Sequence, residues 1–552
     1  MTARTTPAGS ATAAASVLLT LAAGQFLMTL DSAVMNVSIA QVAEDVGTTV
    51  TGVQTAITLY TLVMATAMIT GGRIGTMIGH RLAFAVGCVV YGVGSATTAL
   101  APNLTVLIVG WSVLEGLGAA LIMPAIVALV AANVAAPGRP RAYGLVAAAG
   151  AVAVAAGPLV GGAVTTFWTW RLVFVGEVGV VLVILLLTRR LRGVPAEGWT
   201  GLDGGGVVLS ALGLGAAVLG VLRSGTWGWV RPKPSAPELL GLSPTVWLVL
   251  GGVVVLWLFA VWERRVVARG AEPLVDLGML RNARLVGGLT MFFFQFLLQA
   301  GLFFTIPLFL SVALGLSALD TGVRLLPLSV TLLVAALGIP RWWPRASPRT
   351  VVTAGIGLLL AGIVALVAAL EAGAGAGVVT VPLLLAGLGV GALSSQLGAV
   401  TVSAVPDERS GEVGGLQNTA TNLGASLGTA LAGSVLVGAL SATFFIGLGD
   451  NADLGAEVAQ HATVELDSGV PFVSDAQLAA ALDEQADLSP TQVDAVLDEN
   501  TSARLVGLRA SLAVLALIAG VALFFARLLP GGPDEGAAAA SPGEDGTLRQ
   551  AA

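Results

Sequence analysis

Apolar stretches of about twenty residues follow one another along nearly the whole chain, separated by short polar breaks. A run of that length crosses a bilayer as one helix. Lipid leaves few alternatives, because every backbone amide inside it must be bonded internally. The pattern predicts fourteen spans, at 16–39, 52–72, 82–101, 105–130, 142–166, 171–189, 204–222, 245–263, 286–312, 318–338, 350–370, 377–402, 413–441 and 505–527. The seventh is rich in glycine, and the tenth carries Arg324 and Pro327. The first apolar stretch is too long for a cleaved signal and lacks a small-x-small cleavage site, so it is read as a true span.

Arginine orients these spans. An even number puts both ends on one side, and if that side is the cytoplasm its loops and tails hold 19 of the 26 Lys and Arg residues. Arg73 and Arg81, Arg139 and Arg141, and Arg341 and Arg345 illustrate the alternation, which persists loop after loop as the positive-inside rule requires. Both termini are therefore expected in the cytoplasm of a bacterial cell, with the chain in its plasma membrane.

Composition agrees and narrows the field. The 552 residues are 56% hydrophobic and 11% charged, with a mean hydropathy of +0.91. Soluble domains carry about 25% charged residues. A cytosolic enzyme, a nucleic-acid binder, a disordered chain and a disulfide scaffold are excluded. One cysteine, Cys88, cannot form an internal disulfide, and two histidines, His80 and His461, argue against a His-rich metal site. No metal or cofactor is expected. The net charge of −6 conceals an asymmetry: 12 acids and no Lys or Arg lie between Ser441 and Ala503. The segment 442–503 is expected outside the cell, as a solvated spacer with short surface helices, and Ser489-Pro490 reads as a helix cap with proline at the first position. The tail 528–552 is rich in Gly, Ala, Pro and acids and is expected to be disordered. No nucleophile–base constellation and no phosphate-cradling loop is visible, so neither catalysis nor ATP use is expected.

Ionisable side chains inside spans are costly and therefore point to function. Three stand out: Asp31 in span 1, Glu115 in span 4 and Glu177 early in span 6. No cation lies near any of them within its own span except Arg171, at the outer edge of span 6. Desolvation disfavours the charged form of a buried acid, which can then exchange a proton near neutral pH. With no histidine in the predicted spans, a carboxylate is the expected proton carrier. The second half offers only neutral amides: Gln295 and Gln299, Gln396, and Asn418 and Asn422. Residues four apart share a helix face, and such amides either bond helix to helix or line a cavity. Phe292, Phe293, Phe294 and Phe296 surround Gln295, as suits either a lipophilic ligand or a lipid-facing wall.

Span 5 reads GLVAAAGAVAVAAGPLVGGAVTT, whose glycines allow close helix approach and whose Pro158 bends the rod. The run Gly157, Pro158, Leu159, Val160, Gly161, Gly162 resembles the antiporter motif of the major facilitator superfamily. Other pieces agree in order. Asp31 to Asn36, continuing to Asp45 and Gly47, is similar to the first-span motif of the fourteen-span drug:proton antiporters. GGRIGTMIGHR, with Gly72, Arg73, Gly79 and Arg81, resembles the superfamily's loop between spans 2 and 3. GWSVLEGLGAALIMP resembles the fourth-span motif around Glu115, Gly116, Gly118 and Pro124. WTWRLVF at 168–174 and GEVGGLQNTATNLGASLGTA at 411–430 also fit. Two departures matter. The family's usual loop acid is Thr76 here, with Met77 in place of a basic residue, so the latch between halves is lost or rebuilt. The fourth-span arginine and glutamine are Ser112 and Glu115, so Asp31 loses its usual neutralising partner.

The resemblance implies an all-α, polytopic membrane fold with fourteen transmembrane helices. After a cytoplasmic tail (1–15) come a six-helix bundle (16–192), two additional helices with their loops (193–284), a second six-helix bundle (285–527) and the tail (528–552). It also implies proton-coupled export of small amphipathic or cationic drugs. Asp31, Glu115 and Glu177 would serve protons and substrate, and Asn36 with the second-half amides would line the cavity. Gly157, Pro158, Gly161 and Gly162 would form the hinge, and Gly72, Arg73, Gly79 and Arg81 the cytoplasmic gate. The expected partners are protons, a small molecule and the bilayer, with the protein a monomer. A dedicated exporter of one metabolite or self-made antibiotic, or more remotely a non-transporting receptor or scaffold, stays open.

Overall fold

The structure is a computed structural model. It describes residues 7–451 and 489–531, except 49, 194–195, 197, 199–200, 234–235, 372 and 407–408, together with 475, 478, 479 and 482. The side chains of some helical residues, Asn36 and Pro158 among them, lie outside the described set. Most of the acidic segment and nearly all of the C-terminal tail fall outside it as well.

The described chain is helical throughout. Its long helices are α1 (Pro7–Val37), α2 (Val50–Ile78), α3 (His80–Ala99), α4 (Leu104–Asn133), α5 (Arg139–Phe167), α6 (Arg171–Thr188) and α7 (Gly204–Trp227). They continue as α8 (Pro244–Ala268), α9 (Ala283–Leu308), α10 (Ala318–Trp342), α11 (Pro348–Ala369), α12 (Thr380–Val402), α13 (Ser410–Asp450) and α14 (Pro490–Phe525). Among the described residues 13 helices are long and apolar enough to cross a membrane. The fourteenth expected span is α5, a 29-residue helix with several side chains outside the described set.

The helices form two bundles with one shared packing scheme. In the first, α1 packs on α5, α3 on α4 and α6, and α2 on α4; in the second, α9 packs on α13, α11 on α12 and α14, and α10 on α12. Adding eight to each label of the first set gives the second, which is the signature of a structural repeat. The bundles meet through α2 with α13 and α5 with α10, again an exchange of equivalent helices. The extra pair α7 and α8 packs on itself, and α7 leans on both α2 and α13.

Glycine sets how close these helices come. A Cβ at Gly118 of α4 would stand 2.7 Å from the Tyr91 amide nitrogen and 2.8 Å from the Gly87 carbonyl of α3. The equivalent pair in the second bundle has Gly389 of α12 with only 2.5 Å for a Cβ before the Gly355 carbonyl of α11. The seam between bundles is equally tight at the arginine-rich end, where a Cβ at Gly144 would meet the Ala336 carbonyl at 2.6 Å and one at Gly414 the Pro124 carbonyl at 2.8 Å.

Several helix ends differ from the hydropathy reading. α1 reaches back to Pro7, into the stretch expected as a tail. Gly79, at φ +90°, breaks the helix between Ile78 and His80, so His80 opens α3 and is buried in the seam against Gly75 and Gly411. Histidine is thus not confined to loops. α13 and α14 both extend beyond the predicted spans, to Asp450 and from Pro490. Leu440, Phe444 and Leu448 recur at helical spacing and pack on Ala495, Val496 and Ala503, a small core of its own. The Ser489 cap is present, as a capping box with Gln492, but it opens the 36-residue α14 rather than a short surface helix.

Gly118→Ala should lower stability by about 1–3 kcal/mol, because the atoms it meets are backbone and cannot rotate away. Gly176→Ala, where a Cβ meets nothing within 4 Å, should leave melting unchanged. Thermal denaturation of the detergent-purified variants checks both.

Candidate functional site: a buried carboxylate cluster

The three intramembrane acids predicted from sequence converge on one point. Carboxylate oxygens of Asp31, Glu115 and Glu177 lie within 4.8 Å of one another, and all three residues are buried. They arrive on three helices. Asp31 comes from α1, which is held against α5 by the motif glycines: a Cβ at Gly157 would strike that of Ala33 at 2.3 Å, and one at Gly161 would approach Val34 at 3.0 Å. Glu115 ends a π-helical stretch, Ile108–Glu115, inside α4. Such wide turns re-aim side chains and recur at functional sites. Glu177 comes from α6, which packs on both α1 and α3.

The cluster is lined by neutral hydrogen-bond donors. The Trp111 indole N–H donates to both oxygens of Asp31, at 2.9 and 3.0 Å. Its ring stacks on Tyr60 of α2 with centroids 4.9 Å apart. On α3, Thr98 donates to Glu115 at 3.0 Å, while Ser95 and Tyr91 donate to Glu177 at 2.8 and 3.3 Å. Glu115 Oε2 and Glu177 Oε1 have no hydrogen-bond partner among the described residues. Gly94 leaves the room for Glu115, since a Cβ there would lie 2.6 Å from its Cγ.

Three neighbouring anions out of water repel by roughly 3–4 kcal/mol per pair at an effective dielectric of 20. Neutral donors ease that cost without cancelling it. Positive charge, as protons or as one small cationic group, would relieve that repulsion. Arg171, the nearest cation in sequence, does not serve them. Its guanidinium donates to the Ala99 and Ala101 carbonyls at 3.1 and 2.7 Å and lies over the Trp170 ring. Ser112, at the family's arginine position, donates to the Ala56 carbonyl at 2.8 Å and ties α4 to α2.

The second-half amides do not join this cluster. Gln295 donates to Ser394 at 2.9 Å and so links α9 to α12. Gln299 is half-buried, and Gln396 donates to the adjacent Ser395 at 3.3 Å. Asn418 and Asn422 donate to their own helix, at Gly414 and Asn418 carbonyls, both at 2.8 Å. The Asn36 side chain lies outside the described residues. Among the gate residues, Gly72 abuts the Gly411 carbonyl and Arg73 is buried in the seam, whereas Arg81 is exposed. Gly162 is half-buried on α5.

Sequence reasoning missed the donors. Tyr91, Ser95 and Thr98 recur at i, i+4 and i+7, one polar stripe on an apolar helix, and that spacing was the available signal. It also missed Glu263, buried near the end of α8 beside Asp203, whose carboxylate accepts from Trp262 at 2.9 and 3.0 Å.

The model of the Major Facilitator Superfamily matches residues 21–429. A tetracenomycin C resistance and export protein of Streptomyces glaucescens is 30% identical over 77% of this chain and 77% of its own. A puromycin resistance protein of Streptomyces alboniger is 31% identical over 77% and 82%, and a multidrug efflux pump of Mycolicibacterium smegmatis is 27% identical over 76% and 80%. Among solved structures, a human organic anion transporter superposes with a TM-score of 0.56 at 12% identity, covering 95% of this chain and 100% of that one. A proton:xylose symporter gives 0.51 at 14% identity over 76% and 88%, and these likenesses concern the fold alone. With most of its length matched by the family model and two bundles related by a repeat, this chain belongs to the major facilitator superfamily.

Proposed function

We propose that this protein exports small amphipathic or cationic compounds across the cell membrane in exchange for protons, with both termini in the cytoplasm. The observation that carries the reading is the buried cluster of Asp31, Glu115 and Glu177 with neutral donors around it. A site that must hold positive charge can hold protons in one state and a cationic group in another. Competition for the same carboxylates then couples the two fluxes. Protons enter down their gradient, and the membrane potential adds about 2.3 kcal/mol per charge per 100 mV. Relatives named for multidrug efflux and for export support export, and proton coupling follows the fourteen-span antiporter resemblance. The glycine-lined contact of α5 with α1 would transmit rocking of the bundles to Asp31.

A second reading is a dedicated exporter of one metabolite. Several relatives are named for a single antibiotic, among them tetracenomycin C, puromycin and cephamycin.

Proteoliposomes loaded with a pH-sensitive dye and offered lipophilic cations and neutral drugs separate these readings. Several compounds should move protons in the wild type, and Asp31→Asn or Glu115→Gln should abolish that movement while leaving the protein folded. Proton movement with one compound alone would favour the dedicated exporter. Binding without proton movement for every compound would overturn coupling.

Trp111→Phe keeps an aromatic ring on Tyr60 but removes the donor to Asp31. A hydrogen bond to a charged group contributes about 1.5–3 kcal/mol. Substrate-driven proton exchange should therefore slow by about tenfold or more, measured as initial rates in the same vesicles.

A further inference from the structure

The connection between α8 and α9 lies across the seam of the two bundles at the arginine-rich end. α8 stops in a tight turn: Gly270 adopts φ +70°, its N–H bonds to the Val267 carbonyl at 2.9 Å, and Ala271 N–H bonds to that of Val266 at 3.1 Å. This double closure is a Schellman motif, and it sends the chain back across the bundle. The next residues are not a loose loop. Leu274 and Val275 are 1% and 2% exposed and belong to one apolar cluster with Leu129 of α4 and Val402 and Val413 of α12 and α13. The Val275 N–H points to the buried Glu263 carboxylate of α8, at 3.5 Å.

From this anchored backbone, two acids reach one bundle each. Glu272 pairs with Arg73 of α2, and Asp276 pairs with Arg409, the residue just before α13. Arg73 is itself buried and lies 3.6 Å from Glu412 of α13. The Arg409 hydrogen bond holds the Asp276 carboxyl below its ordinary 3.8, so this pair stays ionised at neutral pH. Thr76 stands where an acid would otherwise serve a latch, and its hydroxyl donates to the Gly72 carbonyl of its own helix. The strap's Glu272 and Glu412 of α13 thus supply the negative charge that faces Arg73.

We propose that residues 270–276 form a clasp that holds the arginine-rich end shut, with Glu272 gripping Arg73 and Asp276 gripping Arg409, and that carrying this clasp is the work of the additional hairpin α7–α8. The bundles cannot part at this end while one anchored strap is bonded to both. Opening requires at least one grip to release, whichever ion or substrate drives it.

The test reads conformation and does not depend on the transport reading. Spin labels at Arg81→Cys and Arg345→Cys, both exposed and at this end of different bundles, are introduced into the full chain with Cys88→Ala. Distances are measured by pulsed electron resonance in lipid nanodiscs. Glu272→Gln with Asp276→Asn should raise the ratio of long to short distances by roughly three- to tenfold, the range expected for two partly exposed ion pairs. The exchanged pair Asp276→Arg with Arg409→Asp should restore the short distance, whereas either change alone should not. Glu272→Gln by itself, at a half-exposed position, gives a mild variant should the double variant fold poorly. Unchanged distances in the neutralised variants would overturn the clasp. A shift that the exchanged pair fails to reverse would overturn the Asp276–Arg409 grip.

Discussion

Helices that touch backbone to backbone set the geometry on which the rest of this molecule depends. Lipid offers no hydrophobic reward for bringing two helices together, so association must come from close packing and hydrogen bonds. Glycine supplies the first. Gly87 and Gly118 bring α3 and α4 together, Gly157 and Gly161 bring α1 against α5, and Gly94 clears the space that Glu115 fills. With larger residues at these positions the three carboxylates could not approach within 4.8 Å. The π-helical stretch in α4 then turns Trp111 and Glu115 toward the same cluster.

The charge in that cluster is balanced differently from the pattern that the family resemblance implies. A cation beside Asp31 would offset its charge directly. Here the indole of Trp111 donates in its place, and hydroxyls of Tyr91, Ser95 and Thr98 satisfy the other two acids. Dipoles stabilise the carboxylates without cancelling their charge. Arg171 is drawn off by backbone carbonyls and by the face of Trp170. At the seam, charged pairs and close glycine–carbonyl contacts lie together at the arginine-rich end.

The repeat relating α1–α6 to α9–α14 explains why the seam joins α2 to α13 and α5 to α10. Two similar bundles facing each other bury equivalent surfaces, and rocking about such a seam needs only contacts that release at one end. The hairpin α7–α8 stands outside the repeat, and its trailing strap bonds to both bundles.

Much of this was legible in one dimension. Hydropathy gave the spans because bilayer thickness fixes helix length. The cost of charge in lipid singled out Asp31, Glu115 and Glu177. Those are local properties of composition and period. Hydropathy could not see α13 and α14 continue past the apolar runs, because their packing on each other, through Leu440, Phe444 and Ala503, follows a stripe and not a mean. Nor could it show that Glu177 would join the other acids, that Trp111 would replace a missing arginine, or that Glu272 and Asp276 would answer the missing acid at Thr76. Each of those pairings joins residues that sequence leaves 62 to 199 positions apart. The chain's sequence decided which residues cannot rest in lipid alone, and the tertiary structure decided which of them face one another, because only helix packing sets distances between spans.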